Sequence, residues 1–176
     1  MKSHIALLRG INVGGNNKVP MADLKLLFTE CGYTEVTTYI NSGNILFKTE
    51  RVDSISLQKA IEKRFDFSVP TMVLDKSTFT EIAAKIPHIW QNDKTQKTDV
   101  LFLWPEFDSK EILKETPFVS GVDEVMYVPG GLIWHIDRKN QNKSYMQKGF
   151  IGSKLYKKMT ARNVNTVRKL VQLLDA

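Results

Sequence analysis

The stretch "VTTYINSGNILFKT", residues 36–49, decides the fold. Two runs of strand-forming residues flank Asn41-Ser42-Gly43-Asn44, a composition typical of a tight β-hairpin turn. The two strands are therefore predicted to be antiparallel neighbours. This arrangement argues against a doubly wound sheet, in which helical crossovers join successive strands.

The segments around this hairpin complete a recognisable order of elements. "SHIALLRGI" (3–11) is predicted to be a buried strand, and "VPTMVLD" (69–75) a second one. "PMADLKLLFTECG" (20–32) and "DSISLQKAIEKRFD" (53–66) have apolar residues at helical spacing. The predicted order is β-α-β-β-α-β, the split βαβ or ferredoxin-like pattern.

The second half of the chain repeats this plan. A strand (99–104), a helix (108–115) and a hairpin (123–137) are followed by two predicted helical stretches, 153–159 and 163–174. We therefore predict an α+β fold of two tandem ferredoxin-like (split βαβ) half-repeats with mostly antiparallel sheets, plus C-terminal helices. The predicted divisions are an N-terminal βαββαβ lobe (1–76), a helix and connector (77–96), and a C-terminal βαββ lobe with terminal helices (97–176).

The two hairpins can be aligned with each other, since Tyr39 and Tyr127 lie 88 positions apart. The strand-to-hairpin distance is longer in the first copy by about seven positions, and the obvious excess is "LLRGINVGGNNKVP", residues 7–20. Loops that a fold does not require are common places for function.

Topology predicts which segments share an edge with this loop. In a split βαβ unit the first two strands are parallel, so the loop and the hairpin turn should be neighbours. Glycines let a backbone approach a ligand, amides donate and accept, and Arg suits phosphate. The predicted ligand-binding residues are Arg9, Gly10, Asn12, Gly14, Gly15, Asn41, Ser42, Gly43 and Asn44. The alternative is that these residues only form turns.

A third segment, "TARNVNTV" (160–167), has similar chemistry, and Arg162, Asn163 and Asn165 are added to the predicted set. The simplest account of either asparagine is a helix N-cap. The formal net charge is +6, and the stretch Arg138–Lys169 has ten Lys and Arg residues with no Asp or Glu. Such a block suits either a polyanion or a solvated helical face.

Together, "ALLRGINVGGNNKVPMADLK", "TYINSGNILF" and "TARNVNTVRKL" resemble the bacterial domain-of-unknown-function family sixteen ninety-seven. The resemblance runs from the first strand to the last helix. It implies a two-subdomain α+β protein of the bacterial cytoplasm without a known cofactor, and it supplies no catalytic residues.

Other chemistry is sparse in the sequence. The three histidines are scattered, with His135 predicted to face solvent on a strand, and no metal site is predicted. Cys31, the only cysteine, is predicted to lie in the core. "KGFIGSK" (148–154) has the Gly-x-x-Gly form of an RNA-binding loop, but a helix entry capped by Ser153 fits better.

These observations favour a binding module for a phosphate-bearing ligand, either a nucleotide or a nucleic-acid backbone, at the edge formed by Arg9–Asn17 and Asn41–Asn44. The alternatives are a small-molecule enzyme that uses the same loop, and a purely structural or interaction protein. Whether a reaction is catalysed stays open. No apolar run approaches the roughly 18 residues of a membrane span, and no signal peptide is evident, so a cytoplasmic location without a membrane partner is predicted.

Overall fold

The computed structural model describes residues 1–15, 17–150 and 152–176, with Gln147 and Lys148 described by their backbone alone. The chain forms two compact units, Met1–Phe79 and Thr80–Ala176.

The first unit contains one four-stranded sheet with two helices on one face, followed by a third helix that runs into the second unit. The elements are β1 (Lys2–Leu8), α1 (Met21–Glu30), β2 (Thr34–Tyr39), β3 (Asn44–Thr49), α2 (Ser54–Phe65), β4 (Thr71–Asp75) and α3 (Lys76–Ala84). The strand order is β2-β3-β1-β4, and the paired strands are antiparallel. This order places β3 between the parallel strands β1 and β2, as the ferredoxin-like pattern requires.

The core of the first unit explains why these segments fold as they do. Residues 5–8 of β1 are buried on both faces, which accounts for their continuous apolar run. Ala6 and Leu8 pack in one cluster with side chains of α1 and α2. The Asp53 side chain caps α2 by accepting a hydrogen bond from the Ser56 N–H (3.0 Å).

The second unit repeats the sheet. Its elements are β5 (Gln96–Leu103), α4 (Ile112–Glu115), β6 (Glu124–Val128), β7 (Gly131–Asp137), α5 (Tyr145–Lys148), β8 (Met159–Asn163) and α6 (Val164–Asp175). Short 3₁₀ turns lie at Pro105–Phe107, Arg138–Lys143 and Tyr156–Lys158. The strand order β6-β7-β5-β8 matches that of the first unit, and its paired strands are also antiparallel. The predicted α+β fold of two ferredoxin-like half-repeats with a C-terminal helix is therefore confirmed.

Strand β8 was not predicted. The stretch 153–159 was assigned to a helix, whereas it contains the Tyr156–Lys158 3₁₀ turn and the first residue of β8. The strand is only five residues long and includes two buried polar side chains, Thr160 and Arg162, so its hydrophobic pattern is weak. Ser153 does act as a cap, because its hydroxyl accepts a hydrogen bond from the Tyr156 N–H. Ile151, in the middle of the stretch 148–154, lies outside the described residues.

Two backbone hydrogen bonds recur at the same place in both units. The Leu8 N–H donates to the Gly43 carbonyl (2.8 Å), and the Leu103 N–H donates to the Gly130 carbonyl (2.9 Å). The next residue in each case, Arg9 or Trp104, donates its N–H to a carbonyl just before the fourth strand. The copies differ in the connection that follows, which has twelve residues before α1 (9–20) and eight before α4 (104–111).

Candidate functional site

The long loop after β1 and the β2–β3 turn are neighbours at one edge of the first sheet. The Asn12 side-chain Nδ2 donates a hydrogen bond to the Asn41 carbonyl (2.9 Å). Close to it, the Leu8 N–H donates to the Gly43 carbonyl. The position follows from the topology, since β1 and β2 end at the same edge. The two segments predicted to form one site therefore meet. Asn16, inside the predicted Arg9–Asn17 stretch, lies outside the described residues.

Asn12 holds the loop to this edge. Its Nδ2 also donates to the Val19 carbonyl (2.9 Å), and its Oδ1 accepts from the Val19 N–H (2.8 Å). Both amide hydrogens and the amide oxygen are thus engaged within the protein. The backbone is in the left-handed region at φ 55°, which Asn tolerates better than most residues. Asn12 is therefore placed to shape the loop.

The rest of the loop is folded by residues in the left-handed region. Gly10, Gly14, Gly15 and Asn17 all have positive φ. The Asn17 amide donates to the Gly10 carbonyl (3.0 Å) and closes the turn. The space around the Cα atoms of Gly14 and Gly15 is open, so these two glycines are required by backbone conformation and leave room for an approaching group.

The β2–β3 turn is packed more tightly. A Cβ atom on Gly43 would lie 2.7 Å from the Leu8 Cβ, so only glycine fits there. Asn44 is fully buried, and its amide donates to the Tyr39 carbonyl (3.1 Å) and to the Ser42 hydroxyl (2.9 Å). Asn44, Ser42 and Gly43 therefore build the turn. The preceding residue, Ile40, has φ 49°, a strained conformation for a β-branched side chain.

Asn41 differs from its neighbours in this turn. It is exposed, and its side-chain amide has no hydrogen bond to any described residue, although its carbonyl accepts from Asn12. The amide donors and acceptor are therefore available to a ligand.

An open depression of about 410 Å³ lies where the loop, the turn and the start of α1 meet. Its lining residues are Asn12, Gly15, Lys18, Val19, Pro20, Met21 and Asn41. The wall is apolar at Val19, Pro20 and Met21, and none of the lining residues is acidic. Asn12, Gly15 and Asn41 are the predicted site residues that line it.

The first turn of α1 opens at this depression. Its N-cap is Pro20, which provides no side-chain hydrogen bond to the helix. Uncapped N–H groups and the helix dipole favour negative charge at that end. The Lys18 ammonium lines the same depression and has no ion pair with any described residue. Asp23 lies in the first turn of α1 but does not line the depression.

Lys18 was missed by the sequence reasoning. The sequence does contain a signal for it, because Lys18 lies two residues before Pro20, the first residue of the predicted helical stretch 20–32. The sequence predicts Arg9 as the cation that binds the phosphate. Arg9 is half-buried, its N–H donates to the Pro70 carbonyl (2.9 Å), and it does not line the depression.

The third predicted segment belongs to the second unit. Arg162 on β8 is buried, and its Nη1 donates to the Ala161 carbonyl (2.7 Å) and the Thr160 hydroxyl (3.2 Å). Removal from water lowers the pKa of Arg162 to about 10. The Asn163 Oδ1 caps α6 by accepting from the Asn165 N–H (2.8 Å), as the N-cap interpretation predicts. The Asn165 amide donates to the Asn92 carbonyl (2.9 Å).

The basic stretch 138–169 is not a continuous cationic face. Its three arginines are used inside the second unit: Arg162 as above, Arg168 on the Pro87 and Trp90 carbonyls, and Arg138 on the Asp93 and Gln96 carbonyls. Lys158 pairs with Glu115. Main-chain carbonyl groups therefore bind the arginines of the stretch, and an acid from outside it pairs with Lys158.

Two minor predictions were wrong. His135 is buried instead of facing solvent, because its ring is stacked on Trp90 with centroids 4.8 Å apart. Cys31 is exposed instead of lying in the core, because it follows the last residue of α1 as the C-cap. Among the described residues no cluster of three or more His, Cys, Asp or Glu side chains could hold a metal ion. None of the described helices has the length and hydrophobicity of a membrane span.

Comparisons with known proteins identify the chain's relatives. A solved structure of the conserved bacterial protein SP0830 from Streptococcus pneumoniae is 27% identical, covers 98% of each chain and has a TM-score of 0.81. No curated protein matches the chain. The model of a protein family of unknown function, DUF1697, matches residues 1–134, which include the loop, the turn and the whole first unit. The chain therefore belongs to the DUF1697 family, as the resemblance in its sequence predicted.

Proposed function

We propose that the first unit binds a small phosphate-bearing ligand, of the nucleotide class, in the depression at the start of α1. The observation that carries this proposal is the lining itself, in which three groups surround one open space. Among the described residues Lys18 has no ion pair, the Asn41 side-chain amide has no hydrogen bond, and the N-terminus of α1 has no side-chain cap. Phosphate groups are commonly bound by backbone N–H groups and cations at such helix ends.

The structure changes the role that each predicted residue has in this proposal. Lys18 replaces Arg9 as the cation at the ligand. Asn41 supplies the orienting amide, and Gly15 supplies close backbone approach. Asn12, Ser42, Gly43 and Asn44 act as the scaffold, because their polar groups already bond within the protein. A ligand role for Arg162, Asn163 and Asn165 stays a prediction.

The apolar part of the wall favours a nucleotide over a bare phosphate. Val19, Pro20 and Met21 line the same depression as Lys18. Ligand sites commonly combine an apolar wall with a few polar groups that fix orientation. A nucleotide presents both surfaces, an anionic phosphate and a flat ring.

A nucleic-acid backbone is the alternative ligand. An extended polyanion needs several exposed cations in a row, and each phosphate contact steepens the salt dependence of binding. The arginines of the basic stretch bind main-chain carbonyls of their own unit, so they do not form such a row. This observation favours a mononucleotide over a nucleic-acid backbone. A shallow salt dependence supports a mononucleotide, and a steep one supports nucleic acid.

The test is a titration of the full chain with a nucleoside monophosphate, followed by chemical-shift changes of the backbone amides. We expect changes at Gly15, Lys18 and Met21, and at least tenfold weaker binding by Lys18→Gln. A tenfold loss corresponds to about 1.4 kcal/mol, within the range of a charge-assisted hydrogen bond.

Lys25→Gln is the matched control, because Lys25 is exposed on α1 and does not line the depression. Equal effects of the two variants, or no binding by the wild-type chain, would contradict the proposal. The same titration with short single-stranded DNA tests the nucleic-acid alternative.

The enzyme alternative has no supporting observation at this place. Lys18 is the one titratable side chain among the lining residues, so the depression offers no carboxylate or histidine as a general base.

The structural alternative rests on Asn12 and Asn44, whose side-chain amides form hydrogen bonds within the protein. It does not explain the exposed side-chain amide of Asn41. A cytoplasmic location and the division at residues 76 and 96 stay proposals.

A further inference from the structure

The segment that leads from α3 to the first residue of β5, residues 87–96, is bound closely to other parts of the second unit, although its polar composition suggests a loose linker. We call it the connecting segment. Its carbonyl groups accept hydrogen bonds from side chains of later elements. Arg168 on α6 donates to Pro87 (3.3 Å) and Trp90 (3.0 Å), and Asn165 donates to Asn92 (2.9 Å).

A chain of two hydrogen bonds joins the segment to β7. The Thr98 hydroxyl lies 2.8 Å from the Gln91 carbonyl and 2.8 Å from His135 Nδ1. A hydroxyl has one hydrogen and a carbonyl has none, so Thr98 donates to Gln91 and accepts from His135. Neutral His135 therefore carries its hydrogen on Nδ1, and its Nε2 is an acceptor.

The ring of His135 also contacts the segment directly. It is stacked on the Trp90 ring with an interplanar angle of 11°. His135 is 5% exposed, and Thr98 is fully buried. One side chain thus holds the connecting segment by a stacked ring and by a directed hydrogen-bond chain.

Burial makes the neutral ring the stable form at neutral pH. The pKa of His135 is lowered, chiefly by desolvation, while the carboxylates of Glu124 and Asp137 raise it by a smaller amount. Lys97 and Asp99 flank Thr98 on β5, and side-chain alternation turns them to the opposite face of the sheet. The other titratable or charged groups on and around the segment are His88, Asp93, Lys94, Arg138 and Arg168.

We propose that His135 is a proton-sensitive latch that holds the connecting segment on the second unit and loosens it as the solution is acidified. In the opened segment the histidine is hydrated and binds a proton near its usual pKa of about 6.5. In the closed segment it binds a proton only at lower pH. The open form is therefore favoured as pH falls below about 6.5, and the effect levels off below the pKa of the closed form.

Hydrogen exchange of the full chain between pH 7.5 and 5 tests the latch, after correction for the intrinsic pH dependence of exchange. The expected result is a loss of protection in residues 87–96 of up to about thirtyfold, the limit that protonation of a histidine with a pKa of about 6.5 in the open segment sets at pH 5. His135→Asn keeps a donor near the Nδ1 position but cannot titrate in this range. In this variant the protection of residues 87–96 should not change with pH.

His4→Asn is the matched control, since His4 lies on β1 in the first unit and should leave the pH dependence intact. Thr98→Val removes the hydrogen-bond chain and should reduce protection of the segment at both ends of the pH range. The proposal is overturned if protection in the wild-type chain is independent of pH, or if His135→Asn retains the wild-type dependence.

Discussion

Replacing Asn12 by alanine removes three hydrogen bonds that fix the loop after β1. These are the bonds from Nδ2 to the Val19 and Asn41 carbonyls and from the Val19 N–H to Oδ1. Each contributes about 0.5–1.5 kcal/mol net, so the three together contribute about 3 kcal/mol. Alanine at φ 55° adds about 1 kcal/mol of backbone strain. We expect Asn12→Ala to lower the free energy of unfolding of the first unit by about 3–4 kcal/mol.

Two further variants separate the contributions. Asn12→Gly also loses the hydrogen bonds but has no Cβ atom, so its loss should be about 1 kcal/mol smaller than that of alanine. Asn41→Ala removes an exposed amide without a hydrogen bond to the described residues, and its effect should stay within about 0.5 kcal/mol. The sequence predicts the same ligand-binding role for Asn12 and Asn41, so their alanine variants form a matched pair.

Urea unfolding followed by far-UV circular dichroism measures these differences, and the exchange rate of the Val19 amide reports the loop directly. If Asn12→Ala and Asn41→Ala unfold at the same urea concentration, the assignment of Asn12 to the scaffold is refuted. If Asn12→Gly is as unstable as Asn12→Ala, the strain argument fails while the hydrogen-bond argument remains.

Two other outcomes are expected. Gly43→Ala should lower the free energy of unfolding by more than about 2 kcal/mol, because its Cβ would lie 2.7 Å from the Leu8 Cβ and φ is 73°. Gly14→Ala, with open space around it, should lower it by only about 1 kcal/mol through backbone strain. Equal melting temperatures of the two variants would contradict this. Cys31, exposed at the end of α1, should react with a thiol reagent in the folded protein. The reaction should be slow at neutral pH, because partial burial of the thiol and the nearby Glu30 raise its pKa; a requirement for denaturant would contradict its exposure.

Local chemistry was sufficient to predict the first sheet. The turn at Asn41–Asn44 and the helical spacing between the strands fixed the order of elements, and the strand order followed from topology. Strand β8 could not be found in this way. Its register beside β5 is set by pairing between residues about 60 positions apart, such as Val100 with Arg162, and no local pattern encodes that pairing.

The candidate site shows a similar limit. The sequence located the correct edge, because a parallel pair of strands must end on the same side. It could not distinguish Asn12 from Asn41, since hydrogen-bond satisfaction depends on which carbonyl groups the folded loop brings near each amide. The sequence also led to Arg9 instead of Lys18 as the cation. The type of a side chain can be read from a sequence, whereas its position relative to the axis of α1 depends on how the loop folds.

The recurrent main-chain bonds at Leu8 and Leu103 have a consequence for how this family can vary. In each unit two consecutive main-chain N–H groups hold the start of the connection that follows, and the second of them belongs to arginine in one copy and to tryptophan in the other. An anchor made of backbone groups places few demands on the side chain that carries it, so position 9 can vary while the anchor persists. Ile11 and Val19, which are buried in the core, and Asn12, which bonds to Val19 and Asn41, restrict how far the rest of segment 9–20 can change.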